Sequence, residues 1–282
     1  MSYQRVLTIQ DISCVGQCSM TVALPILSAC GLETGILPSA VLSTHTGGFT
    51  GYTVRDLTED FPAVRRHWEA SGLDFGAAVT GYLGSIRQID YVADIFRSRV
   101  IPGGKIVVDP AMGDNGKLYP AFDEAYAAAM AGLCAGADVI VPNITEACYL
   151  TGVPYAERYD EAYVAMLMEK LGELGAKSIV LTGVSYTPEE TGVLVRDGES
   201  TRYYRHKKIT KSYHGTGDIY TAALAGAWIR GKELFEAARI AADYTVSCIE
   251  KTVDDPDHWY GVKFELALPE LIRALEDDGH GS

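Results

Sequence analysis

The sequence predicts an α/β protein: a central, mostly parallel sheet flanked by helices on both faces, with an antiparallel hairpin at one edge. Three observations lead there. Six short apolar runs are continuous, not alternating, as strands buried on both faces require. Stretches of helical length and pattern lie between several of them. One late segment alternates around Asp197-Gly198, a hairpin signal.

The expected strands are "RVLTI" (5–9), "GILPSAVL" (35–42), "FGAAVTGYL" (75–83), "KIVVDPAM" (105–112), "ADVIVPN" (137–143) and "SIVLTGV" (178–184). Helices are expected at 18–31, which ends on a glycine, at 85–100, which begins on Ser85 and stops before Pro102, and at 159–177, which is amphipathic. The hairpin covers 191–209, and the chain after Gly215 reads as mostly helix. No internal repeat, low-complexity run or linker interrupts 1–282, so one domain is expected. The 282 residues, 48% hydrophobic, suffice for a large core.

A formal net charge of −13 argues against nucleic-acid binding through a broad basic surface. No membrane span or secretory leader is recognisable, so a soluble cytoplasmic protein with no membrane partner is expected. The six cysteines are scattered without a CxxC and read as free thiols of a reducing compartment; Cys14 and Cys18 form the one pair with ligand-like spacing. HExxH, the P-loop GxxxxGK[ST] and an early GxGxxG are absent, which disfavours those zinc, nucleotide and dinucleotide sites.

The strongest chemical signal is "KSYHGTGDIYTAALAGAW" (211–228). Two glycines precede an Ala-rich helix, whose free N–H groups and partial positive charge suit an anion. Asp218 puts a proton acceptor inside that site, which suggests phosphate chemistry. Ligands of open α/β sheets bind at the carboxyl ends of the strands. Asp11, Thr44–Thr46, Gly81–Tyr82, Asp109, Asn143 with Glu146, and Thr182 are therefore expected to converge. Several keep two readings. Asp109 and Asp114 in "DPAMGDNGKLY" suit turn chemistry as well as charge handling near Mg²⁺–ATP. Asn143 and Glu146 in "VPNITEACYLTG" suit a helix cap as well as a water-mediated Mg²⁺–phosphate contact. "STHTGGFTGY" (43–52) suits a solvated loop or a flap over a small substrate.

In this order, "TIQDIS", "LSTHTGGF", "TGYLGS", "VVDPAMGDNGKLY", "ADVIVPNITEACYLTG", "VLTG" and "HGTGD" resemble the ribokinase superfamily, and within it the pyridoxal (vitamin B6) kinases. The resemblance runs from residue 6 to about residue 250. It implies a ribokinase-like fold and transfer of the ATP γ-phosphate to the 5′-hydroxymethyl group of pyridoxal, pyridoxamine or pyridoxine. It implies Asp218 as the base, favoured as a carboxylate by the helix end, and the backbone of Gly215, Thr216 and Gly217 as the anion hole. Asp109 and Glu146 match positions that organise Mg²⁺, through water, and with Asn143 the phosphates. Asp114, Tyr119 and Thr182 match positions near ATP; His45, Thr46 and Tyr82 match the surroundings of the pyridine ring. The segment 185–210 is expected on the nucleotide side, a homodimer is implied, and a monovalent cation is left open.

Asp11 departs from the serine that many pyridoxal kinases carry, "IQD" here against "IQS". A carboxylate there would pair with a protonated ring nitrogen or with the amine of pyridoxamine. Two alternatives stand beside this reading. One is a kinase of hydroxymethylpyrimidine or another small alcohol; the other is a non-catalytic vitamer-binding protein. The segment 255–272 has no derivable role; Trp259 and Tyr260 suit packing at a dimer interface, or closure over a ligand.

Overall fold

The computed structural model describes residues 5–209, 211 and 213–276. Thr210, at the end of the segment expected on the nucleotide side, and Ser212, just ahead of "HGTGD", lie outside the described residues. The first half of the chain runs β1 (Arg5–Ser13), α1 (Met20–Ala29), β2 (Glu33–Leu42), β3 (Val54–Asp56), α2 (Phe61–Ala70), β4 (Phe75–Thr80), α3 (Ile86–Arg99) and β5 (Val100–Val108). A small hairpin of β6 (Gly113–Asp114) and β7 (Lys117–Leu118) leads to α4 (Glu124–Ala135), β8 (Val139–Ile140), α5 (Ile144–Thr151), α6 (Glu161–Glu173) and β9 (Ser178–Val184). The chain continues through β10 (Glu190–Asp197), β11 (Ser200–Lys207), α7 (Thr216–Ile229), α8 (Leu234–Glu250) and α9 (Leu268–Glu276).

The main sheet has the order β11-β10-β9-β8-β5-β4-β1-β2-β3. The six strands from β9 to β2 are parallel to one another, so their carboxyl ends share one edge. The expected hairpin is present at one side, where β10 pairs antiparallel with both β9 and β11. The other side is also antiparallel, through the short strand β3, which the sequence pattern does not reveal. Val54, Arg55 and Asp56 are all exposed, so no buried periodicity marks that strand.

Neighbouring strand residues point to opposite faces, and the core divides accordingly. Val6, Ala77, Val107, Val139 and Val180 pack with α1, α7, α8 and α9. Leu7, Ala78, Val108, Ile140 and Ile179 pack with α2 to α6. Ser85, Asp123, Asn143 and Asp160 cap α3 to α6 by accepting the N–H three residues on. Neither α2 nor α4 was identified in the sequence.

Three expected strands end early. The strand expected at 105–112 stops at Val108, that at 75–83 stops at Thr80, and that at 137–143 is regular only over Val139–Ile140. Pro110 and Pro142 lie just past two of these ends, where a residue without an N–H cannot extend a ladder. Beyond each end the chain turns to loop and carries polar groups away from the sheet.

In α7, every residue from Ile219 to Ala227 is buried. Small side chains allow that approach: a Cβ on Gly226 would collide with Cys30 Sγ. Gly226→Ala therefore loses about 1–3 kcal/mol to overpacking, more than the ~1 kcal/mol that alanine contributes in a helix. A lower Tm is expected, and Cys30→Ala in the same chain should recover part of it. Equal Tm in wild type and Gly226→Ala would show that α1 and α7 have room to separate.

Candidate active site

The parallel strands bring Asp11, Gly81–Tyr82, Asp109 and Thr182 to one edge, and the start of α7 meets them there. A cavity of about 10 Å³, the size of one water, is lined by Gln10, Thr80, Gly81, Asp109, Asp218 and Thr221 among others. Thr80 Oγ1 is buried and has no hydrogen-bond partner. Asp218 and Thr221 lie three apart in α7 and so share a face.

Gly215 starts α7 with φ +79°, and a Cβ there would collide with the Gln17 carbonyl oxygen. Gly217 is different: a Cβ there would meet nothing within 4 Å. The first requirement is set by the fold. The second leaves open space over the helix N-terminus, where the first N–H groups have no intrahelical acceptor.

Asp218 Oδ2 accepts the Ser19 N–H at 2.9 Å. Burial pushes its carboxyl from the ordinary value 3.8 up to about 7; the Ser19 N–H opposes that, and the charges of Asp109 and Asp11 add to it. Burial and two neighbouring carboxylates thus act against the helix end, which favours the ionised form. Asp109 Oδ2 accepts the Thr221 hydroxyl at 2.6 Å, and its Oδ1 accepts the Ala111 N–H at 3.1 Å. Burial raises Asp109, and burial followed by the Asp109 charge raises Glu146.

Glu146 forms the capping box: Asn143 Oδ1 accepts the Glu146 N–H, and Glu146 Oε2 accepts the Asn143 N–H, both at 2.9 Å. Its Oε1 accepts the Met112 N–H at 3.0 Å, and Asn143 Nδ2 donates to the Gly113 carbonyl at 2.9 Å. The cap reading is thus satisfied, and the cap also fixes the loop after β5. Asp114 accepts the Asn115 N–H at 2.8 Å, so it does turn work at the tip of the small hairpin. Thr182 Oγ1 donates to the Pro142 carbonyl at 3.3 Å. The Tyr119 hydroxyl is pushed up by burial and then by the charges of Glu146, Asp218, Asp114 and Asp109, although the residue is 40% exposed.

At the end of β1, Asp11 is 5% exposed and its Oδ2 accepts the Ser13 hydroxyl at 3.0 Å. It sits where the β1–β2 register shifts, between Gln10 and Ile12. Burial raises its pKa against the hydrogen bonds of Ser19 and Ser13. The Tyr82 ring lies 5.3 Å from that of Phe122, and its hydroxyl is raised by burial and then by Asp11. His45 Nδ1 accepts the Gly47 N–H at 3.0 Å, which leaves the proton of the neutral ring on Nε2. The His214 ring is 5.0 Å away, and burial followed by that neighbour lowers the His45 pKa. Thr46 is exposed, with no hydrogen bond among the described residues.

Sequence reasoning missed Ser19, Thr80, Thr221 and His214. Ser19 and Thr221 make contacts 199 and 112 residues away in sequence, so no local pattern marks them. The spacing of Thr221 from Asp218, one helical turn, is the signal that was available. Among the described residues, no group of three His, Cys, Asp or Glu side chains has the geometry to hold a metal directly. No helix among them is long and apolar enough to cross a membrane.

Residues 39–261 match the family model of phosphomethylpyrimidine kinase. A hydroxymethylpyrimidine/phosphomethylpyrimidine kinase of Rhizobium meliloti is 30% identical over 230 residues, 80% of this chain and 83% of that one. The structure of a pyridoxal kinase from Lactobacillus plantarum superposes with a TM-score of 0.90 at 32% identity over 100% of both chains. A Bacteroides thetaiotaomicron protein, provisionally a phosphomethylpyrimidine kinase and crystallised with pyridoxal, gives 0.90 at 33% identity over 96% of each chain. The chain therefore belongs to the phosphomethylpyrimidine kinase family, within the ribokinase-like superfamily, and is a phosphotransferase with an alcohol acceptor.

Proposed function

We propose that the chain transfers the γ-phosphate of ATP to the 5′-hydroxymethyl group of a B6 vitamer, with Asp218 as general base and the N–H groups of Gly215, Thr216 and Gly217 as the anion hole. The observation that carries the reading is Asp218 itself. It sits in the first turn of α7, beside free N–H donors, with its carboxyl at about 7. A base tuned near neutral pH can take the alcohol proton as the oxygen bonds to phosphorus, and still release it afterwards. Donors fixed at the helix end stabilise charge on the transferred group. Pyridoxal kinase neighbours and the pyridoxal-bound relative support the acceptor class.

Both oxygens of Asp109 and of Glu146 already accept hydrogen bonds, which suits contact with a metal through its waters, not direct ligation. Mg²⁺, which keeps several of its waters, fits that donor set. When bound with ATP it would neutralise phosphate charge; Asp109 and Glu146 would orient its waters. Asp11 would face the acceptor ring and favour one that carries a proton on nitrogen or an ammonium group. A second reading, hydroxymethylpyrimidine as acceptor, is favoured by the family model and by the Rhizobium meliloti relative.

Phosphorylation of pyridoxal, pyridoxamine, pyridoxine and hydroxymethylpyrimidine with ATP and Mg²⁺ separates the readings. Turnover of a vitamer is expected, with a drop of at least about 10²-fold in kcat for Asp218→Asn. Asp11→Ser should change the order of the vitamers; an unchanged order removes the assigned role of Asp11. Turnover of the pyrimidine alone selects the second reading, and vitamer binding without any turnover selects a non-catalytic one.

The two glycines give a second test. Gly217→Ala should keep or raise Tm, since alanine in a helix contributes up to ~1 kcal/mol, yet it should cut kcat/KM by filling the space over the anion hole. Gly215→Ala should lower Tm. Wild-type activity in Gly217→Ala would sink the anion-hole assignment.

The third concerns pH. A carboxyl raised in the folded state binds more protons than in the unfolded chain, so its stabilising contribution is lost as pH rises through its folded pKa. For Asp218 that window runs from 3.8 to about 7. Without ligands, Asp218→Asn should raise Tm at pH 8 and change it little at pH 4. Parallel Tm–pH curves for the two proteins would contradict the burial of this charge. In the reaction the sign is opposite, and kcat/KM should rise with pH through about 7.

A further inference from the structure

Residues 43–52 join β2 to β3 on the acceptor side. The base of this loop is tied by Ser43 N–H to the Thr53 carbonyl at 3.0 Å and by His45 N–H to the Val15 carbonyl at 2.8 Å. Its tip rests on a turn far along the chain. The Phe49 ring is 4.7 Å from that of Trp259 and 6.3 Å from that of Tyr260. A Cβ on Gly48 would lie 2.6 Å from Trp259 Cζ3, so the backbone there lies directly against the indole.

The turn is anchored in its own right. His258 Nδ1 bonds the Gly261 carbonyl at 3.0 Å, and the Gln17 N–H reaches the Tyr260 carbonyl at 3.5 Å. Gln17 Nε2 donates to Glu265 at 2.8 Å. Gln17 is also the residue whose carbonyl abuts Gly215, two residues before the Ser19 N–H that holds Asp218. Loop 43–52, the turn at 258–261 and the loop after β1 thus meet around the start of α7. Trp259 is nevertheless 46% exposed, so its contact with the loop tip can open without disturbing the core.

We propose that Trp259 is a positioning residue: it docks Gly48 and Phe49 so that loop 43–52 closes over the acceptor alcohol. The proposal rests on the kinase reading. Closure matters to phosphoryl transfer because water is itself an acceptor, and a loop that shuts behind the alcohol excludes it.

Three readouts test this. Kinetically, Trp259→Ala should raise the acceptor KM about tenfold and leave the ATP KM unchanged. Trp259→Phe, which keeps a ring against Phe49, should recover most of that loss. Phe49→Ala should have the same effect, and the double variant should be no worse than either single one. An unchanged acceptor KM, equal changes in both KM values, or additive effects would overturn the proposal. Spectroscopically, the chain has three tryptophans. Acceptor binding should change the emission of wild type and not that of Trp259→Phe; equal responses would count against it. The third readout needs no turnover: amide exchange over 45–50 in the free protein should be faster in Trp259→Ala. Wild-type exchange there overturns the latch, whereas absence of turnover in wild type overturns only the kinase reading.

Discussion

The arrangement depends on holding four buried or half-buried carboxylates, Asp11, Asp109, Glu146 and Asp218, close to the start of α7. Each is shifted upward, with burial as the first cause, and Asp218 feels Asp109 and Asp11 while Glu146 feels Asp109. Such crowding is costly unless donors are aimed at the oxygens. The backbone supplies two of those donors under strain. Ser19 (φ 48°) and Ala111 (φ 39°) are non-glycine positions with positive φ. Their N–H groups donate to Asp218 and Asp109 respectively. Strain of this kind amounts to about 1–3 kcal/mol per residue and persists only where its surroundings enforce it.

The enforcement comes from packing. α7 lies against the sheet and is buried on all sides over two and a half turns, which places its first turn with little freedom. Thr221 then links the helix to the end of β5 through Asp109, and Ser19 links it to the start of α1. A displacement of α7 would break both links and leave two carboxylates short of a donor. The alanines and glycine that looked merely like helix formers in the sequence are what bring the helix close enough for those hydrogen bonds.

Much of this was legible in the sequence, for physical reasons that can be named. Continuous apolar strands mark a doubly covered parallel sheet, and a parallel sheet gathers its strand ends at one edge, so Asp11, Tyr82, Asp109 and Asn143 could be brought together without knowing the helices. Strand ends were misjudged where apolar residues continue past Pro110 and Pro142, because hydropathy does not record the missing N–H. β3 was missed since it buries nothing. The helix dipole at Asp218 is visible in a sequence, whereas the burial that raises its carboxyl is not. Ser19 and Thr221 were out of reach, as their partners are joined to them only by the fold. For Glu146 the cap reading is the one observed, and the side chain that caps α5 also holds the Met112 N–H, and so shapes the loop carrying Asp109 and Met112.

The same charge balance bears on the acceptor. ATP adds negative charge to a region already rich in carboxylates, and no arginine or lysine pairs with Asp11, Asp109, Glu146 or Asp218 among the described ion pairs. In the proposed reaction, positive charge would then come from the start of α7 and from the ligands, through a metal ion on the phosphates and through the acceptor itself. An acceptor ring protonated on nitrogen, or bearing an ammonium group, would meet Asp11 as a counter-ion and favour its ionised form. A neutral alcohol would leave Asp11 buried and raised, and would gain nothing from it. In the proposed reaction, the aspartate at this position would therefore favour cationic heteroaromatic alcohols as a class. Asp11 is held by Ser13 and sits at the register shift of β1, so its position is fixed before any ligand arrives. The choice within that class would then fall to the ring's remaining substituents and to the surfaces of Tyr82 and His45, whose tautomer is set by the Gly47 N–H as a donor through Nε2.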